Sequence, residues 1–105
     1  MENNNILTEK IKQTVMATDA SAQVLLFGSR ARGEAKKDSD WDILILLNKA
    51  KVTIKDEQVF RHKLFDVELE TGACISTFVY ALNDWNTRMS VTPLYKNVQA
   101  DGIYL

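Results

Sequence analysis

Cysteine, histidine and proline occur once each in this chain of 105 residues, and glycine four times. With Cys74 alone, an internal disulfide framework and a four-cysteine metal site are excluded. With His62 alone, so is a multi-histidine zinc centre. No apolar run approaches the ~18 residues of a membrane-spanning helix. The opening Met-Glu-Asn-Asn-Asn lacks the basic-then-apolar order of a signal peptide. An excess of one charge is missing too: 13 Lys+Arg against 14 Asp+Glu leave −1. Direct binding of long nucleic acid is therefore not expected, because neutralising phosphates takes a marked basic excess. These absences lead to the expectation of a soluble, reduced, cytoplasmic protein without a membrane partner. The length leads to the expectation of one domain over residues 1–105.

With so few breakers, most of the chain is expected to be regular, without repeats or a linker. Residues 5–18 read as an amphipathic helix with Ile6, Leu7, Ile11, Val15 and Met16 near one face. Two short apolar runs, 23–27 and 41–47, read as buried strands separated by a polar segment. Residues 54–71 read as a second helix, with Val59, Leu64, Val67 and Leu69 among its apolar positions and Gly72 as its cap. Residues 74–80 are β-branched and aromatic, and read as a third strand that Cys74 opens as a packing residue. Asn83 or Asp84 is placed to cap a short helix carrying Trp85. Thr92-Pro93 starts a last helix that Gly102 closes. Asn3–Asn5 reads as a frayed end or a cap, and His62 as a surface residue. The alternation indicates an α/β or α+β fold, with a small mixed sheet of three to four strands flanked by helices.

The chemistry-bearing residues lie between Leu26 and Leu47. Asp40 and Asp42 stand two apart at a strand entry, so both side chains leave one face while Trp41 and Ile43 point into the core. Close carboxylates repel, and a hard divalent cation between them removes the repulsion. Mg²⁺ is commonly held by one or two carboxylates together with substrate phosphates. Read alone, the pair also suits an ordinary exposed strand entry. Gly28-Ser29 follows the first strand, where glycine admits a sharp turn and close ligand approach, and the hydroxyl and helix-opening amides suit phosphate oxygens. Read alone, it also suits a plain strand-to-helix turn with Ser29 as N-cap. Arg30 and Arg32 add positive charge there, and Lys36 and Lys37 read as a solvated loop.

Together, Gly28-Ser29-Arg30-Ala31-Arg32-Gly33 and Asp38-Ser39-Asp40-Trp41-Asp42 resemble the nucleotidyltransferase superfamily with the DNA polymerase β-like fold, in particular its minimal nucleotidyltransferases. The resemblance implies that Gly28 and Ser29 hold the triphosphate of ATP. It implies that Asp40 and Asp42 are catalytic and bind Mg²⁺, and that AMP passes to a hydroxyl as pyrophosphate leaves. The family carries a third carboxylate on the next strand. Here residues 74–80 contain no acid, and Ser76 or Thr77 stands near that place. Asp66, Glu68 and Glu70 lie upstream in the preceding helix, leaving Glu68, Glu70 or no residue as the third group. The resemblance further implies a small helical partner of the HEPN type, silenced by adenylylation in a toxin–antitoxin pair. Trp85, Tyr95 and Tyr104 are compatible with a partner surface, though taken one by one each reads first as core packing. The alternatives are a degenerate nucleotide-binding or protein-binding subunit, and transfer to a small molecule such as an antibiotic. Assembly into a homo-oligomer is left open.

Overall fold

In the computed structural model, residues 2–105 are described, with side chains from Ile6 onward. Helix α1 (Glu2–Thr18) leads into β1 (Gln23–Phe27), the one-turn helix α2 (Ser29–Arg32) and β2 (Trp41–Leu47). Helix α3 (Ile54–Thr71), β3 (Ile75–Ala81) and the short α4 (Leu82–Asn86) follow. A 3-10 turn (Arg88–Val91), helix α5 (Pro93–Asp101) and a two-residue strand β4 (Ile103–Tyr104) complete the chain. Helix α1 takes in Asn3–Asn5, rather than starting at residue 5; the side chains of residues 2–5 and all of Met1 lie outside the described set.

The four strands form one mixed sheet in the order β3-β2-β1-β4. β1 pairs antiparallel with both β2 and β4, and β2 pairs parallel with β3. Both inner strands are covered on both faces, which is why they read as unbroken apolar runs rather than alternating ones. On one face Val24, Leu26, Ile43 and Ile45 pack with Ile11 and Val15 of α1 and Phe60, Leu64 and Val67 of α3. On the other, Leu25, Phe27, Leu44 and Leu46 pack with Trp85 and Val98. Among the described residues, no helix is long and apolar enough to cross a membrane.

Local signals set the helix ends. Thr53 accepts the Asp56 N–H while Asp56 accepts the Thr53 N–H, a capping box that starts α3. Gly72 ends α3 in the left-handed conformation. Thr92 accepts the Tyr95 N–H ahead of Pro93, and Gly102 donates to Val98 while itself remaining extended.

Several details differ from the sequence reading. Ile6 and Leu69 are 64% and 70% exposed, because each lies off the stripe that faces the sheet. Cys74 is exposed and precedes β3 rather than opening it as a packing residue, so the inward positions of that strand begin later. Ala81, with no side-chain cap, precedes α4 in place of Asn83 or Asp84. The 3-10 turn and β4 have no counterpart in the periodicity, being too short to produce one.

Candidate active site at the Gly28 turn and the Asp40–Asp42 pair

β1 ends where β2 begins: Phe27 is the register partner of Asp42. The turn after β1 and the carboxylates at the β2 entry are therefore neighbours in space. Alternation puts Asp42 on the face of Leu44 and Leu46, while Trp41 and Ile43 enter the opposite core as expected. Across the parallel pairing, Asp42 stands beside Ser76. Ser76 shares the Asp42 face, and its Oγ donates to Asp40 Oδ2 at 3.3 Å. Thr77 is buried on the far face.

Gly28 has φ 78° and ψ −159°, a region essentially reserved for glycine. A Cβ built there would lie 2.2 Å from Asp42 Oδ2, so the backbone runs against the carboxylate with no room for a side chain. Gly28, not Ser29, is the N-cap of α2, and its carbonyl accepts from the N–H of Ala31 and Arg32. Ser29 is the first helical residue; its hydroxyl makes no hydrogen bond among the described residues and is free to meet a ligand.

Electrostatically the pair is unsettled by itself. Partial burial, and secondarily the charge of Asp40, holds the Asp42 carboxyl above the ordinary carboxylate range, while Arg32 opposes this. Such a site favours a cation. Two converging carboxylates with an adjoining turn for phosphate match the donor set by which Mg²⁺ is usually held with a nucleotide. Among the described residues, no group of three or more His, Cys, Asp or Glu side chains comes together to hold a metal. The upstream acids have other work. Glu68 accepts the Ile75 N–H at 2.8 Å, tying the end of α3 to the start of β3, and Glu70 pairs with Lys10 of α1. Helix α3 runs to Thr71, so neither is delivered to the pair.

The two arginines of the turn act differently. Arg30 stacks 4.5 Å over the Trp41 ring and donates to the Ser39 carbonyl at 2.9 Å and the Lys37 carbonyl at 3.3 Å. It thereby clamps the loop that delivers Asp40. Replacing Arg30 with alanine is expected to cost about 2 kcal/mol, from the lost charged hydrogen bonds and stacking. Amide exchange should accelerate at residues 36–41 and stay unchanged in α3. Arg32 pairs with Glu34 and, at 2.9 Å, with Asp101 of α5, bracing the turn against the C-terminal helix. Sequence reading found the positive charge but not these partners, because Asp101 lies 69 residues away. The alternation on β3 does carry a signal for Ser76: Thr77 and Val79 take the inward parity, leaving Ser76 on the other face.

A cavity of about 360 Å³ beside Gln23, Leu46, Trp85 and Tyr104 sits at the other end of β1 and β2, and no acid lines it. The acidic site is thus the turn and the strand entry.

The mixed sheet thus sets a glycine-serine turn against a carboxylate pair. The model of the polymerase β nucleotidyltransferase family matches residues 9–91, and the chain belongs to that family. Among solved structures, the chain is similar to one described as a toxin-antitoxin with AMP-PNP. The TM-score is 0.67 and the identity 18%, covering 91% of this chain and 69% of that one. At this identity the likeness concerns the fold. No curated protein matches the chain.

Proposed function

We propose that the protein binds Mg-ATP at this site and transfers AMP to a hydroxyl of a separate protein. The observation that carries the reading is the contact between the Gly28 backbone and the Asp42 carboxylate, which joins a phosphate-binding turn and a metal-holding pair in one site. Gly28 and Ser29 hold the phosphates, and Asp40 and Asp42 hold the cation. Mg²⁺, when bound, neutralises phosphate charge and orients the triphosphate. The acceptor hydroxyl attacks the α-phosphorus and pyrophosphate leaves. The toxin-antitoxin neighbour with AMP-PNP supports a nucleotide and a protein partner, and the family resemblance is the support for taking that partner as a small helical protein of the HEPN type in the cytoplasm.

Incubation with Mg²⁺, ATP labelled at the α-phosphate and any small helical protein found encoded beside it is expected to label that protein. No label on any protein, with Asp42→Asn indistinguishable from wild type, overturns the enzymatic reading. A second reading, a nucleotide-binding subunit without chemistry, is favoured by the serine beside the pair. It requires Mg-dependent ATP binding in calorimetry with no label transferred.

A further inference from the structure

The acids of the site are few, and their neighbour is neutral. Asp40 and Asp42 converge, and the next strand meets them with Ser76 as the register partner of Asp42. Its hydroxyl spends its proton on Asp40 Oδ2, 3.3 Å away. Glu68, Glu70 and Asp101, acids of flanking elements, are engaged with Ile75, Lys10 and Arg32 respectively.

We propose that the nucleotide complex of this protein holds one divalent cation rather than two, and that Ser76 is the residue that sets this count. The inference rests on the nucleotide-site reading above. Two-metal sites place their cations ~3.5–4 Å apart, four positive charges in a small volume that bridging carboxylates must offset. Here, among the described residues, the pair of Asp40 and Asp42 is enough with phosphate oxygens for one Mg²⁺. A serine hydroxyl is neutral near pH 7, so it adds no charge toward a second ion. Its hydrogen bond takes up one lone pair of Asp40 Oδ2. Ser76 is therefore a positioning residue. It orients Asp40 toward the single cation, and an acidic side chain in its place would open a second metal position.

The test counts Mn²⁺ retained with the protein after the protein–α,β-methylene-ATP complex is separated from free nucleotide, read by electron paramagnetic resonance after acid release and compared with a nucleotide-only control. Wild type is expected to bind one Mn²⁺ per nucleotide complex, Ser76→Asp two, and the neutral Ser76→Asn one. A wild-type count of two overturns the inference while leaving the nucleotide site standing. A Ser76→Asp count of one overturns it as well. If wild type shows no nucleotide-dependent Mn²⁺ binding, the nucleotide-site reading and the inference fall together. Should Ser76→Asp fail to fold, the wild-type count decides by itself.

Discussion

Replacing Asp42 with asparagine is expected to reduce AMP transfer by about 10²–10³-fold, the usual consequence of removing one preorganised group that stabilises charge, and at the same time to raise the thermal stability of the protein free of metal and nucleotide. The two effects have opposite signs because they have different origins. On the proposed function, transfer uses the charge of Asp42 to hold a cation, whereas the fold without ligand gains nothing from it. Burial and the neighbouring Asp40 hold the Asp42 carboxyl above its ordinary range in the folded state. The native protein therefore binds that proton more tightly than the unfolded chain does. The stabilisation from this group is complete below the unfolded value and is lost as pH rises through the raised folded value. Near neutral pH wild type lacks it, and the amide of the Asp42→Asn variant does not titrate. Thermal scans without ligand should show the variant melting above wild type at pH 7, with the gap closing toward pH 4. Adding Mg-ATP should raise the wild-type Tm by mass action and leave the variant unmoved. A variant that melts lower at pH 7 and still transfers AMP would refute the assignment of Asp42.

The second large effect is expected at Gly28. Alanine there meets two obstacles. The backbone at φ 78° and ψ −159° is strained for any residue with a Cβ, at a cost of about 1–3 kcal/mol. The new methyl would also fall 2.2 Å from Asp42 Oδ2, so the carboxylate must turn away from the turn it faces. Gly28→Ala is thus expected to lower Tm by roughly 5–20 °C and to abolish Mg-dependent nucleotide binding. The obstacles separate in a double-mutant cycle. Adding Asp42→Gly removes the collision but not the backbone strain, so the double variant should recover part of the stability lost by Gly28→Ala alone. Unchanged Tm and nucleotide affinity in Gly28→Ala would show that the backbone does not press on Asp42.

The family assignment changes the meaning of the near-neutral charge and scarce glycines. Local acid and glycine placement matters here, not overall excess. The placement of Asp40 and Asp42 at a strand entry and of Gly28-Ser29 at the turn before it was legible, because a strand end and a turn are set by residues a few positions apart. The central strands were legible for an equally local reason, since burial on both faces demands unbroken apolar runs. The outer elements were less so. Cys74 and Leu69 carry apolar side chains at positions that the packing of α3 and β3 leaves open. Ile103 and Tyr104 form a strand only because β1 offers them an edge.

Sequence by itself determined the mixed helix-flanked sheet, the glycine-serine turn and the acid pair, since each rests on periodicity or on residue chemistry acting within a few positions. Tertiary structure decided that the Gly28 backbone abuts Asp42, that Ser76 rather than Thr77, Glu68 or Glu70 stands beside the pair, and that Arg32 reaches Asp101. Those relations depend on strand register and helix packing. Register is set by the summed burial of two whole sheet faces, so no short stretch of the chain encodes which side chains it brings together.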